Sequence, residues 1–292
     1  MYRIWLRAGL GGIFIAGMMA GCGDDDGGVT QKPFFEALPA PVHISHRGGA
    51  GIYPESTLYA FQQAVDVDHT DVLEIDLVQS ADGHIMVSHD DEVDRTTDGS
   101  GLITEMTLVE VQALDAAFWF DPDGDQSYPE RGMGHTIPTL DETFAAFPTL
   151  YYNLEIKDAA SEYEAELYAL VQQYNLEDRV LWGSANSSSS DRLRAVAPHI
   201  AMYYHTAAAT CFVTQVTLGG DPATDCTDHY DALNLPGGGI TVEVVDAAHA
   251  LGIAVYAWTV DLPEDMELLF GYGVDGIITD RPDVLRQVID AM

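Results

Sequence analysis

Two short stretches of this sequence carry acids in the alternating pattern of a strand. In Leu73-Glu74-Ile75-Asp76-Leu77, the side chains of Glu74 and Asp76 fall on one face and the three apolar residues on the other. Asn153-Leu154-Glu155-Ile156-Lys157 repeats the arrangement, with Asn153, Glu155 and Lys157 opposite Leu154 and Ile156. If the apolar faces pack on helices, the charged faces point into the protein. Charge there is costly unless it is paired or bound to a metal. Three carboxylates (Glu74, Asp76 and Glu155) converging at one place repel one another. A hard divalent cation with oxygen ligands, Ca2+ or Mg2+, resolves the repulsion. The alternative is a salt-bridge cluster around Lys157, but one lysine does not neutralise three acids.

Two histidines end other apolar runs, in Ile44-Ser45-His46-Arg47-Gly48-Gly49 and Val87-Ser88-His89-Asp90. Set beside one metal, His46 and His89 can serve as general base and general acid. Arg47 and Lys157 stand at the same run ends. Arginine offers a fork to a phosphate and lysine a point charge. Bases are scarce here: 12 Lys+Arg against 47 Asp+Glu give a formal net charge of −35 over 292 residues. That balance argues against nucleic acid or an anionic membrane surface as a partner. Most of the acids read as a solvated face. At 47% hydrophobic residues the chain can bury a full core.

The elements that would position these residues alternate. Strand patterns fall at 42–46, 72–78, 151–157, 179–184, 200–205, 231–235, 253–258 and 276–279. Helical patterns follow most of them, at Ser56–Val67, Glu162–Tyr174, Asp191–Ala197, Val242–Ala250 and Pro263–Phe270. Ser56 suits an N-cap, and Gly252 suits the position after a helix. Eight β/α units over about 250 residues predict an α/β fold, a TIM (β/α)8 barrel with its site at the C-terminal ends of the strands. Residues 85–89 follow 72–78 after only Ala81-Asp82-Gly83-His84, so they read as an extra strand folded back in a hairpin. That pairing brings His89 near the depth of Asp76. Residues 115–137 read as a long loop insertion over the barrel mouth.

Nine segments resemble, in order, the glycerophosphodiester phosphodiesterase family. They are His46-Arg47-Gly48, Pro54-Glu55-Ser56-Thr57, Glu74-Ile75-Asp76, Asp82-Gly83, His89-Asp90, Arg95-Thr96-Thr97-Asp98-Gly99, Asn153-Leu154-Glu155-Ile156-Lys157, Trp258-Thr259 and Gly276-Ile277-Ile278-Thr279-Asp280-Arg281-Pro282. The resemblance implies a metal-dependent TIM barrel that hydrolyses glycerophosphodiesters to sn-glycerol 3-phosphate and an alcohol. It implies Glu74, Asp76 and Glu155 as metal ligands and His46 and His89 as the acid/base pair. It places Arg47 on the phosphate with Lys157 nearby, and Glu55 and Trp258 as lining. Ser56 departs from the family's usual Asn. A phospholipase D-like or lysophospholipid phosphodiesterase on the same barrel is the alternative. A non-catalytic solute-binding lipoprotein is disfavoured because every charged position is kept.

The N-terminal 21 residues read as an export signal: Arg3 and Arg7, then an apolar run from Ala8 to Ala20 too short to span a bilayer, which takes ~20 residues. Met19-Ala20-Gly21-Cys22 resembles the lipobox of bacterial lipoproteins, with Met19 where Leu is usual. It implies acylation of Cys22, a flexible acidic tether over 22–41 and a barrel domain over 42–292. The expectation is an exported protein, anchored by lipid and facing the periplasm or cell exterior. With Cys22 acylated, Cys211 and Cys226 remain as a disulfide pair in a segment that reads as loop. Asp121-Pro122-Asp123-Gly124-Asp125 lacks the rest of an EF-hand loop, and the Ser187–Ser190 run lacks a nucleophile elbow.

Overall fold

The computed structural model describes residues 32–292 apart from 158, 159, 227 and 229. The signal, Cys22 and the first part of the tether lie outside the described residues. The strands are β1 (Val42–His46), β2 (Val72–Gln79), β3 (Ile85–Val87), β4 (Tyr151–Ile156), β5 (Val180–Gly183), β6 (Ala201–Met202), β7 (Ala232–Pro236), β8 (Ala254–Trp258) and β9 (Gly276–Thr279). The helices are α1 (Pro33–Glu36), α2 (Leu58–Asp66), α3 (Leu108–Gln112), α4 (Leu140–Ala146), α5 (Glu164–Gln173), α6 (Ser187–Val196), α7 (Thr206–Leu218), α8 (Pro222–Asp225), α9 (Val242–Ala250), α10 (Pro263–Tyr272) and α11 (Pro282–Ala291).

Eight strands run in the order β6-β5-β4-β2-β1-β9-β8-β7, with parallel neighbours throughout. A parallel bridge between Tyr203 and Ala232 joins the two ends, so the sheet closes into a (β/α)8 barrel. Alternation along each strand builds two cores. Leu73, Ile75 and Leu77 of β2 face outward and pack with Phe61 of α2 and Phe144 of α4. Ile44, Val72, Leu181, Ala232, Tyr256 and Ile278 pack inside the ring. Phe34 of α1 belongs to that inner cluster, its ring 5.7 Å from that of Tyr151. Residues 32–41, which the sequence reading gives to the tether, therefore close the floor of the barrel instead. Phe34 carries enough apolar area to be held there by burial.

The hairpin is present. β3 runs antiparallel to β2, with Leu77 opposite Val87 and Gln79 opposite Ile85. Gly83 takes a φ of +88°, which the Asp82-Gly83 pair makes available. Four local expectations need correction. Ser56 is not the cap of α2: it adopts a φ of +57°, and Thr57 accepts the hydrogen bond from the Ala60 N–H at 3.1 Å. The serine run is no loop, because Asn186 caps Ser188 and makes 187–190 the first turn of α6. β6 proper is only Ala201–Met202: pairing carries on through the Tyr203 bridge, and His205 then caps α7. Cys211 lies on that 13-residue helix, not in a loop, and it is joined to Cys226 by a disulfide. Gly252 does follow α9, with a φ of +72°.

The 115–137 insertion folds on itself. The Arg131 guanidinium sits between rings, 3.7 Å from the Tyr128 centroid and 4.1 Å from that of Phe118. The His135 ring stacks 4.7 Å from Tyr59 of α2. The insertion lends no residue to the cavity at the mouth, contrary to expectation. Cation–π packing and its own turns hold it against the flank.

Candidate active site

The inward positions at the strand ends converge on one cavity of about 680 Å3. β1 supplies His46 and the following Arg47, β2 Glu74, β4 Asn153 and Glu155 with Lys157 just beyond, and β8 Trp258. Register sets the depth: Asp76 pairs with Glu155, and Glu74 with both His46 and Asn153. The hairpin brings the chain after β3 back to the mouth, where the Ser88 N–H donates to the Asp76 carbonyl and His89 reaches the cavity.

Each histidine is held at Nδ1 by an aspartate. His46 Nδ1 donates to Asp280 Oδ1 at 2.6 Å, and His89 Nδ1 to Asp90 Oδ1 at 2.7 Å. A carboxylate can only accept, so each Nδ1 carries a proton and each Nε2 is the atom left to exchange a proton with the cavity. Asp90 is held in turn by Arg95, whose guanidinium also grips both oxygens of Glu55 at 2.7 Å. Glu55 also accepts from Arg47 at 3.1 Å. A continuous chain of charges thus runs from His89 through Asp90, Arg95 and Glu55 to Arg47.

Asp76 lies beneath these groups with its side chain 1% exposed. Lys157 Nζ stands 3.1 Å from one of its oxygens and Arg47 Nε 3.2 Å from the other. Neither oxygen receives a properly aimed hydrogen bond among the described residues. One donor atom each from His46, Glu74 and Asp76 can be chosen so that all three lie within 4.8 Å of one another. Glu74 Oε2 accepts from the Arg47 N–H at 3.2 Å, and the two Asp76 oxygens, buried without an aimed donor and clustered with it at that spacing, fit a hard divalent cation. The electrostatics agree. Burial first, and then repulsion from Asp76, push the Glu74 carboxyl up to about 8. Burial raises Glu155 too, against the pull of Lys157. Burial works against a charged His46, yet Glu74 and Asp280 outweigh it and raise its pKa. This is a pocket of acids short of positive charge.

Comparison with known proteins places the chain in a family. The sequence model of the glycerophosphoryl diester phosphodiesterase family matches residues 46–284. A glycerophosphodiester phosphodiesterase of Caldanaerobacter subterraneus subsp. tengcongensis is 34% identical over 253 residues, covering 84% of this chain and 96% of its own length. The chain belongs to the glycerophosphoryl diester phosphodiesterase family. Two solved structures are similar. The glycerophosphodiester phosphodiesterase of Agrobacterium tumefaciens gives a TM-score of 0.69 at 25% identity, over 84% of this chain and 98% of that one. An Oleispira antarctica phosphodiesterase, in complex with the product sn-glycerol-3-phosphate, gives 0.68 at 29% identity, over 86% and 97%.

In this family member the structure brings together seven residues singled out from the sequence: His46, Arg47, Glu74, His89, Glu155, Lys157 and Trp258 all line the cavity. Asp76 lies just below them. Glu155 points to Lys157, at 3.0 Å, and the tight triad is completed by His46 in its place. Glu55 does not line the cavity; it stands behind Arg47 as its counter-ion. Tyr256 is core, while Trp258, two residues on, reaches the mouth. Asp90, Asp280 and Arg95 fall within the motifs, but only the fold reveals their contacts. Ser184, whose hydroxyl donates to the Ile156 carbonyl at 2.7 Å, is a structural residue.

Proposed function

We propose that this protein hydrolyses glycerophosphodiesters to sn-glycerol 3-phosphate and an alcohol. The observation that carries the reading is the pairing of two Asp-held histidines with a cluster of buried, donor-poor acids and two cations at one barrel mouth. Glu74 and Asp76, with Glu155 beside them, would hold a divalent cation, Ca2+ or Mg2+. When bound, it supplies Lewis-acid polarisation of the phosphate. Arg47 and Lys157 hold the phosphate oxygens and spread the charge that develops in the transition state. His46 and His89 carry the protons: one Nε2 takes the proton of the glycerol hydroxyl that attacks the phosphorus, the other ring, protonated at Nε2, gives its proton to the leaving alcohol, and water then opens the cyclic phosphate to sn-glycerol 3-phosphate. Glu55 and Arg95 keep Arg47 and Asp90 in place, so that phosphate and proton carriers share one frame.

The test is release of glycerol 3-phosphate from glycerophosphocholine, its loss with EDTA, and its return on adding Ca2+ or Mg2+. No release from any glycerophosphodiester overturns the reading. The protein also reads as exported and lipid-anchored, supported by Met19-Ala20-Gly21-Cys22 and the polar run after it. Among the described residues no helix is long and apolar enough to cross a membrane. Labelling with a fatty acid that is lost in Cys22→Ala tests the anchor.

A further inference from the structure

One side of the mouth is chemically unlike the rest of the molecule. α7, Thr206–Leu218, contains no charged residue, in a chain with 47 acids. It nonetheless lies at the surface, with Thr206, Ala207, Thr210 and Thr214 exposed. Thr206, Ala209, Thr210, Val213 and Thr214 all line the cavity. Their spacing of 3, 4, 7 and 8 residues is one face of a helix. The Thr210 hydroxyl donates to the Thr206 carbonyl at 2.7 Å, so its hydrogen-bonding capacity is turned onto the helix itself. Leu235, Pro236 and Trp258 continue the apolar wall. Among the described residues the cavity's acidic lining is Glu74 and Glu155, both at the metal pole. Phe212 roots the helix in the core, and the Cys211–Cys226 disulfide ties it to the segment behind.

In the diesterase reading, phosphate and glycerol belong at the charged pole. A cavity of about 680 Å3 leaves room beyond them, in the range of roughly 300–1,000 Å3 that holds drug-sized ligands. A cationic alcohol would be better served by an acid on that wall, which this acidic chain withholds. We propose that the α7 wall is a subsite for a single aliphatic chain carried by the diester. The inference rests on the diesterase reading above and names the substrate class within it. The chain can enter on the leaving alcohol or as an acyl group on the glycerol, and the two arms of the test separate these sources.

In the first arm the full-length protein, with Ca2+ or Mg2+, is given glycerophospho-n-alkanols from ethanol to octanol beside glycerophosphocholine, and glycerol 3-phosphate is measured. In the second it is given lysophosphatidylcholines of six to twelve acyl carbons below their micelle concentration, and choline is measured. We expect kcat/KM to rise about fourfold per methylene in one series, as apolar burial dictates. Thr210→Glu, at an exposed position, should lower the long-to-short ratio at least tenfold, and Val213→Glu should do the same. A rise in the alkanol arm places the chain on the alcohol; a rise in the lysophospholipid arm places it on the glycerol. Turnover that is independent of chain length in both arms, or a ratio untouched by both variants, overturns the subsite and leaves the diesterase standing. Absence of turnover on every diester overturns both.

Discussion

His46 and Asp280, 234 residues apart, meet with Nδ1 and Oδ1 at 2.6 Å. The bond spans β1 and the end of β9, neighbours in the barrel. It fixes the histidine tautomer and aims Nε2 at the acids. Asp280→Asn keeps the size but not the charge, and its amide can offer a donor where an acceptor is needed. Turnover should fall by about 10- to 100-fold, the usual cost of losing a partner that orients a working histidine, with the melting temperature little changed. Steady-state kinetics beside thermal unfolding checks this. Normal kcat would remove Asp280 from the site's design.

His89 stands on the turn after β3, partly exposed, and no core packing depends on it. His89→Ala should lower turnover at least ~100-fold, the low end for a lost acid or base, and leave the circular dichroism spectrum unchanged. A variant of near-normal activity would sink its role in proton transfer.

Glu74 is buried against Asp76, and the protein without metal bears that repulsion. Above about pH 8, where Glu74 is ionised, Glu74→Gln removes one of the facing charges, and below it the variant removes the need to take up a proton on folding. The metal-free variant should be more stable than the metal-free wild type. It should also lose the stabilisation that saturating Ca2+ or Mg2+ gives the wild type, about 2.7 kcal/mol at a hundredfold excess over Kd. Thermal unfolding with EDTA and with added metal reads both effects. Equal metal-induced shifts in the two proteins would show that Glu74 holds no ion.

His43 lies on β1 but faces outward, fully buried, and its Nε2–H donates to the Pro282 carbonyl at 2.9 Å. Burial pushes its pKa from 6.5 down to about 4. Between those values the unfolded chain takes up a proton that the folded chain refuses. Stability is therefore lost as pH falls from 6.5 to 4, by about 3 kcal/mol in full. His43→Gln carries no such proton. Denaturant unfolding at pH 7 and pH 4.5 should show the wild type losing about 2–3 kcal/mol more than the variant. Identical losses would contradict the assignment.

The disulfide closes a loop between positions 15 apart and ties α7 to the segment after α8. Replacing Cys211 and Cys226 together by Ala should cost about 3 kcal/mol, mainly through the freedom returned to the unfolded chain. Denaturant midpoints of the two proteins measure it, and an unchanged midpoint would mean that packing alone holds α7.

Local pattern made much of this molecule readable. The strict alternation in 73–77 and 153–157 fixes which side chains share a face, whatever else the chain does. Asp82-Gly83 between two apolar runs specifies a tight reversal, and β3 follows. Ser56 misled because capping depends on backbone angles: its φ of +57° hands the cap to Thr57. α7 was missed because it lacks the polar–apolar contrast of a surface helix. Both of its faces are uncharged, one against the core and one against the cavity.

The barrel, the inward set of acids and the two histidines are legible in the residues alone, because strand periodicity and the ordered motifs are local properties. The sequence could not decide which atoms meet across the mouth. That Glu55 backs Arg47, that His46 rather than Glu155 completes the tight cluster with Glu74 and Asp76, and that α7 rather than the 115–137 insertion walls the cavity are outcomes of closure. They depend on strand register and on helix placement over hundreds of residues of separation. Those quantities are set by packing the whole chain at once, and no short stretch of it encodes them.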